Sequence, residues 1–155
     1  MYDSEARYLL RYLNIDLDVH QETSPISFRR ILPHFPIKYR AMLLDDGIDG
    51  IFIRSKKGNH ITINSSKPYT RRRFSLGHEF GHFYLNHDSD VTTVHDQNRL
   101  VEVQANQFSA SLLAPSQLVY ALSKEKESIS EMAAWLRISP ISMAIRCMQL
   151  GIRKL

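Results

Sequence analysis

The sequence predicts an α+β domain in which several helices flank a small three-stranded antiparallel sheet. Three observations lead to this prediction. An amphipathic helical pattern opens the chain, short apolar and partly alternating segments occupy residues 39–64, and helical spacing returns from residue 71. The chain has 155 residues, of which 43% are apolar, so it is long enough to bury the core of one domain.

The N-terminal quarter of the chain carries two helical patterns. Apolar residues with the spacing of one helical face are Tyr8, Leu9, Tyr12 and Leu13. They predict a helix over residues 3–14. Ser24 followed by Pro25 is typical of a helix start, which predicts a short second helix that continues through Leu32.

Three segments rich in Ile and Leu follow, at residues 39–46, 49–54 and 59–64. Asp-Gly and Lys-Gly pairs lie between them and are typical of tight turns. We therefore expect three antiparallel strands.

The second half of the chain is predicted to be helical. One helix covers residues 71–88, with Ser75 as its N-cap, and another covers residues 99–115, after a polar loop. A further helix runs from the capping residue Ser116 through Lys124.

Two short helical segments close the chain, at residues 129–137 and 141–151, separated by Ser139 and Pro140. We predict that residues 1–125 form the main domain. Residues 126–155 form a helical pair that packs on this domain and is not an independent unit.

The strongest chemical signal is the run His78-Glu79-Phe80-Gly81-His82. Two histidines four residues apart lie above one another on a helix, so both imidazoles can reach one ion, and neutral imidazole suits Zn²⁺. Glu79 points away from the shared ligand position and can act as the general base. The alternative is a pair of core histidines satisfied by hydrogen bonds, which leaves Glu79 unexplained.

A catalytic zinc site needs a third protein ligand. His87 or Asp88 could supply it from the same segment, but the glycine that turns the chain back in such sites is replaced by Leu85, which we expect to continue the helix. Glu102 on the later helix is preferred. Asn106 follows it by four residues and could accept a hydrogen bond from a ligand histidine.

Several other residues have structural interpretations. Gly77 and Gly81 lie on one helix face and indicate close approach of a neighbouring element. The basic run at residues 71–73 is interpreted as a solvated turn before the helix, or else as a patch that steers an acidic substrate or DNA. The single cysteine, Cys147, is interpreted as a packing residue, because it lies among apolar neighbours and has no cysteine partner.

The bulk properties favour a cytoplasmic protein. No apolar run approaches the roughly 18 residues that span a bilayer, and the first residues lack the order of a signal peptide. One cysteine fits a reducing compartment. The net charge of +4 permits contact with nucleic acid or an acidic protein without demanding either.

The segments RFSLGHEFGHFYLNH and EVQANQFSASLLAP together resemble the ImmA/IrrE family of metallopeptidases. The resemblance is close over about half of the chain, from residue 59 to Pro115. It implies a gluzincin-like fold in which His78, His82 and Glu102 bind zinc. It also implies that Glu79 is the catalytic base. Members of this family are typically encoded by bacteria, phages and mobile elements, and often cleave a partner repressor of the helix-turn-helix type.

The resemblance leaves two parts of the mechanism open. The tetrahedral oxyanion needs a donor, for which Tyr84, His87, His95 and Tyr120 are candidates. The substrate backbone could add to a sheet edge, and the strand at residues 59–64 is expected to be that edge.

The competing hypothesis is a regulatory protein that binds DNA or a repressor and holds a structural or sensory zinc. The final two helical segments have the pattern of a helix-turn-helix. However, the second carries only Arg146 on an otherwise apolar stretch, whereas a recognition helix needs several exposed polar side chains. Direct DNA binding is therefore not favoured.

Overall fold

A computed structural model describes residues 2–88 and 99–155 of the chain. Within these residues the chain forms seven α-helices, one 3-10 helix and a three-stranded sheet, which confirms the α+β class. The first elements are α1 (Asp3–Tyr12), α2 (Phe28–Ile31), the 3-10 helix Leu32–His34, β1 (Ile37–Met42), β2 (Gly50–Ser55) and β3 (Gly58–Asn64). The later helices are α3 (Tyr69–Tyr84), α4 (Arg99–Leu113), α5 (Ser116–Glu125), α6 (Ile129–Leu136) and α7 (Pro140–Gln149). In the described segments, no helix is long and apolar enough to cross a membrane.

The sheet is mixed, with β3 in its centre. β2 and β3 form an antiparallel hairpin, whereas β1 pairs with β3 in parallel, with Ile37 opposite Asn59. The expectation of a purely antiparallel sheet is therefore wrong for β1. The expectation that residues 59–64 form a sheet edge is also wrong, because they belong to the central strand. Alternating apolar residues mark a strand but do not specify which neighbour it pairs with.

A crossover follows from this topology. Because β1 and β3 are parallel, their C-terminal ends lie at the same end of the sheet. The chain that leaves Met42 therefore crosses the end of β3 before β2 begins at Gly50. Asn64, which is fully buried at the end of β3, fastens this segment. Its side-chain nitrogen donates to Ile48 O at 2.8 Å, and the other hydrogen bonds of the side chain join Leu44, Asp45 and Ser66.

Helices α3 and α4 pack against each other more closely than ordinary side chains allow. A Cβ atom at Gly77 would lie 2.3 Å from Ser109 Oγ, and one at Gly81 would lie 3.3 Å from Ala105 O. The expected close approach at both glycines is thus confirmed, and α4 is the neighbour. The buried apolar side chains form one cluster that continues from α1 through α3 and α4 to α7.

Two predicted helix starts are wrong. Helix α3 begins at Tyr69, directly after Pro68, and Ser75 is buried inside it. The basic run 71–73 therefore lies in the first turns of α3 instead of in a turn before it. Helix α2 begins at Phe28, while the Ser24 hydroxyl caps a turn by accepting from Ile26 N at 3.2 Å. Serine side chains close turns as readily as they cap helices, which explains this second error.

The C-terminal helices begin close to where their capping residues indicate. Ser139 Oγ accepts from Ser142 N at 3.0 Å, and Pro140 is the first residue of α7. Helix α5 starts at Ser116 itself, directly after Pro115, so Ser116 is not its cap. Cys147 is buried, which confirms its interpretation as a packing residue.

Contacts join α6 and α7 to the N-terminal part of the chain. The Arg146 side chain is buried, forms an ion pair with Asp3 and donates to Ala114 O at 2.9 Å. The indole nitrogen of Trp135 donates to Gln21 O at 2.9 Å.

Candidate metal centre

Helices α3 and α4 bring two imidazoles and one carboxylate to a single point. His78 and His82 lie one turn apart on α3, with their Nε2 atoms 3.0 Å apart. Glu102 faces them from the first turn of α4, with its two oxygens 3.0 Å from His78 Nε2 and 3.2 Å from His82 Nε2. Within the described part of the chain, these residues form the group that could hold a metal ion.

The hydrogen bonds around the imidazoles show that a cation fits this group. His78 Nδ1 lies 2.7 Å from Asn106 Oδ1, and because an amide oxygen only accepts, this nitrogen carries the proton. In the neutral form of this ring, Nε2 presents a lone pair. Burial, with His78 and His87 nearby, lowers the pKa of His82 to about 3, so the imidazole of His82 is neutral. Two lone pairs and a carboxylate that converge repel one another unless a cation lies between them.

The donor set suits zinc. Zinc prefers imidazole nitrogen and carboxylate oxygen at about 2.0–2.2 Å in a tetrahedral arrangement, which places ligand atoms about 3.3 Å apart. The observed separations of 3.0–3.2 Å are close to that spacing. Three protein ligands leave one position open, as in catalytic sites.

Glu79 lies beside this group without joining it. Burial raises the pKa of Glu79 to about 8, and the negative charges of Glu102 and Asp49 add to the shift. A cation among the three ligands would oppose this increase. Gly50 at the start of β2 provides the space for Glu79, since a Cβ atom at this position would lie 3.1 Å from Glu79 Cγ.

The end of α3 turns the chain back toward the ligands. Asn86 adopts a left-handed conformation with φ of 58°, and the amide nitrogens of Asn86 and His87 donate to Phe83 O and His82 O. This hydrogen-bond pattern is a Schellman motif, which asparagine can form in place of glycine. The expectation that Leu85 continues the helix is therefore wrong. Arg54 on β2 reinforces the turn by donating to Asn86 Oδ1 and Phe83 O.

The turn places His87 behind His82. Its Nδ1 atom lies 3.0 Å from His82 Nδ1, and its Nε2 atom lies 3.0 Å from Gln104 Oε1. His87 thus contacts the face of His82 that points away from Glu102. It is not part of the ligand group, and neither is the exposed Asp88.

None of the candidate oxyanion donors within the described residues points at the site. Tyr84 stacks on Phe108 in the core, and Tyr120 donates to Leu150 O at 3.0 Å. Both ring nitrogens of His87 are engaged in hydrogen bonds, with His82 and with Gln104. His95 lies outside the residues that the structure describes.

The nearest sheet edge to Glu79 belongs to β2. Among the described residues β2 pairs with β3 alone, which makes β2 an edge strand of the described sheet. Gly50 adjoins Glu79 at one end of the strand, while the Phe52 ring lies 6.2 Å from that of Phe83.

Sequence reasoning did not identify Gly50 or Gln104. Gly50 carried no signal, because its role depends on a contact between a strand and a distant helix. Gln104 lies two residues after Glu102, and its hydrogen-bond partner is His87. His87 reaches Gln104 only because the left-handed turn at Asn86 directs the chain back toward α4. An asparagine directly before His87 was the available signal for that turn.

A comparison with known protein families identifies the family of the chain. The family model described as IrrE N-terminal-like domain (Peptidase_M78) matches residues 36–148, which include the sheet and helices α3 and α4. No curated protein matches the chain. The match covers well over half of the chain, and the chain therefore belongs to the IrrE N-terminal-like family of metallopeptidase type.

Proposed function

We propose that the protein is a zinc-dependent endopeptidase in which His78, His82 and Glu102 hold the metal and Glu79 is the general base. One observation carries this proposal: three donors converge on one point, while a second carboxyl group, that of Glu79, lies beside them without contributing a ligand. A structural zinc site is usually closed by four protein ligands, so an open position favours catalysis. When bound, zinc would polarise the scissile carbonyl and acidify a water molecule.

Glu79 has the properties that the proton transfers require. Burial raises the pKa of this carboxyl group to about 8 in the metal-free site, and a bound cation would lower it again, which suits a group that must both accept and return a proton. We propose that Glu79 takes a proton from the attacking water and later delivers it to the leaving amine. Gly50 keeps the space in which this carboxyl group moves.

The outer edge of β2 is our proposed substrate-binding strand, in place of the central strand β3. A peptide that adds to this edge would form backbone hydrogen bonds to β2 and pass Glu79 at Gly50.

The proposed substrate is a helix-turn-helix repressor in the cytoplasm, from a regulatory system of a phage, a mobile element or a stress response. The resemblance of residues 59–115 to the ImmA/IrrE family motivates this proposal. The alternative is a DNA-binding or repressor-binding regulator with a structural or sensory zinc, and for DNA it lacks a polar recognition surface on α7. The exposed large side chains of α7 are Ile141, Ile145 and Met148, whereas Arg146 is buried.

The decisive experiment compares the wild type with Glu79→Gln, Glu102→Ala and the surface control Glu125→Gln. Each protein is purified with zinc, its metal content is measured, and it is incubated with any helix-turn-helix repressor encoded beside its gene and with unfolded casein. We expect discrete fragments from the wild type and Glu125→Gln alone. Glu79→Gln should retain zinc, and Glu102→Ala should bind it more weakly.

Other outcomes would count against separate parts of the proposal. Hydrolysis by Glu79→Gln at the wild-type rate would exclude Glu79 as the base. Unchanged zinc affinity in Glu102→Ala would exclude it as the third ligand. Tight zinc binding without hydrolysis of either substrate would favour the regulatory alternative.

A further inference from the structure

An open cavity lies on the N-terminal half of α3, away from the proposed metal ligands. It has a volume of about 890 Å³ and is lined by α2, the start of α3, β1 and the end of α6. Its lining includes four arginines, namely Arg29, Arg72, Arg73 and Arg137. No aspartate or glutamate lines the cavity, and the ion pairs formed by the described residues include none of these four arginines.

Two of these guanidinium groups are held side by side. Arg73 and Arg137 both donate to Ile26 O, at 2.8 and 3.1 Å. The Arg73 side chain is only 6% exposed, and its Nε atom has no hydrogen-bond partner. Burial, with the charge of Arg137 nearby, lowers the pKa of Arg73 to about 10. Buried cations without a counter-charge are costly, so this arrangement favours binding of an anion.

The backbone conformation of Arg137 is unfavourable for an arginine. It adopts a left-handed conformation, with φ of 57°, at the C-terminal end of α6, where glycine is the usual residue. Its Nε atom is also buried without a partner. An arginine at this position is explained by its side chain, which reaches the cavity lining and the carbonyls of Ser24 and Ile26.

The surroundings of Arg72 favour an anion site over a purely structural role for these arginines. Its Nε atom is buried without a hydrogen-bond partner, and no described group accepts a hydrogen bond from its side chain. Unlike Arg73 and Arg137, it therefore does not anchor the 24–26 segment. A guanidinium group that lines a cavity and retains unused donors matches carboxylate and phosphate geometry.

Apart from Ser27, the rest of the lining is apolar or aromatic. Phe28 and Leu32 face the cavity from the α2 region, and Tyr69 and Leu76 face it from α3. The volume falls within the range of clefts that take small organic ligands, which is about 300–1,000 Å³. A few cationic groups on an otherwise apolar wall suit an anion attached to an apolar body.

We propose that this cavity binds a small organic anion, whose carboxylate or phosphate group contacts Arg72, Arg73 and Arg137 and whose apolar body packs on Phe28 and Tyr69. The site is separate from the metal centre and does not depend on the peptidase activity. Because α3 carries both sites, a ligand here also contacts the helix that holds His78 and His82.

The test uses four probes that separate the charged group from the apolar body. These are 1-naphthoate, 1-naphthyl phosphate, uncharged 1-naphthol and inorganic phosphate. Each is titrated into the folded full chain, with calorimetry for affinity and the nitrogen-15 signals of the arginine Nε–H groups for location. The variants Arg72→Gln and Arg137→Gln assign their own signals, and the exposed Arg30→Gln on α2 is the matched control.

We expect at least one aromatic anion to bind about tenfold or more tightly than 1-naphthol and inorganic phosphate, because a charge-assisted contact adds to apolar burial. Its affinity should fall about fivefold or more in Arg72→Gln and Arg137→Gln and stay unchanged in Arg30→Gln. The Arg73 Nε–H signal should shift on binding. Comparing naphthoate with naphthyl phosphate identifies the preferred charged group.

The proposal is overturned if neither aromatic anion binds more tightly than 1-naphthol. Wild-type affinity in Arg72→Gln would also overturn it, and this variant breaks no contact of the 24–26 segment, so a folding defect cannot obscure the result. Thermal unfolding of each variant establishes that it is folded before titration.

Discussion

His82 and His87 face each other through their Nδ1 atoms, 3.0 Å apart, while His87 Nε2 lies 3.0 Å from Gln104 Oε1. The Gln104 oxygen only accepts, so His87 carries its proton on Nε2 and accepts at Nδ1. His82 then donates from Nδ1 and offers its Nε2 lone pair toward Glu102. One chain of hydrogen bonds thus fixes both the tautomer and the ring orientation of a proposed metal ligand.

We predict that His87→Ala weakens zinc binding about tenfold to a hundredfold, as is typical when the partner of a ligand histidine is removed. Gln104→Leu should have a smaller effect in the same direction, because His82 keeps its partner. Competition with a chelator measures both affinities. His20→Ala, at an exposed histidine, is the control, and unchanged affinity in His87→Ala would refute the prediction.

Gly50→Ala is predicted to reduce peptide hydrolysis while leaving zinc content unchanged. The added methyl group would lie 3.1 Å from Glu79 Cγ and 2.8 Å from Ile63 Cδ1, so it displaces the proposed base. A shift of about 1 Å in such a group can reduce the rate about a hundredfold. Gly47→Ala, where nothing lies within 4 Å, should retain wild-type turnover. Equal kcat values for the two variants would contradict this role for Gly50.

Gly77→Ala is expected to destabilise the fold although alanine favours helices by about 1 kcal/mol. The new Cβ atom would lie 2.3 Å from Ser109 Oγ, and overpacking of this kind costs about 1–3 kcal/mol. Part of the loss should be recovered in the Ser109→Ala background, since the clashing oxygen is then absent. Urea denaturation of the four proteins in the cycle gives the coupling, and strictly additive effects would argue against a direct contact.

Replacing Asn64 by alanine should lower the free energy of unfolding by about 3 kcal/mol, because several backbone groups of the crossover lose their partner. Asn59→Ala removes one exposed hydrogen bond, to Pro36 O, and should cost about 1 kcal/mol or less. Chemical denaturation compares the two variants. Similar losses at both positions would show that Asn64 does not fasten the crossover.

The C-terminal helices are predicted to unfold together with the rest of the chain. Asp3→Ala would leave the buried Arg146 without its carboxylate, which costs about 3 kcal/mol in comparable buried pairs. Trp135 fluorescence and far-ultraviolet circular dichroism should then show one common, lowered midpoint. Two separate transitions would instead show that residues 126–155 form a domain of their own.

The parts of this structure that depend on local spacing could be predicted from the sequence. Histidines four residues apart face the same way on any helix, so the convergence of His78 and His82 required only that the segment be helical. Glu102 required one further assumption, that the next helix packs against the first. The small residues Gly77 and Gly81 indicated this packing in advance.

The parts that depend on distant pairing could not be predicted. Nothing in residues 37–42 distinguishes a strand that pairs in parallel from one that pairs antiparallel, so the order of the sheet and the central position of β3 were missed. The early start of α3 was missed because Ser75, a typical capping residue, instead packs in the interior. The role of His87 was missed because the left-handed turn at Asn86 was not anticipated, although asparagine is a residue that can form it.

The crossover above β3 also determines the order in which the sheet can fold. The hairpin of β2 and β3 closes through Lys56 and Lys57 alone, whereas β1 must pair with residues much later in the chain. Closing the longer loop costs more entropy, so we expect the hairpin to form first and β1 to join later. Until then one edge of β3 is unpaired. The folding intermediate most prone to aggregation is therefore the β2–β3 hairpin before β1 has paired with it. Conditions that delay the pairing of β1 should lower the yield of refolded protein.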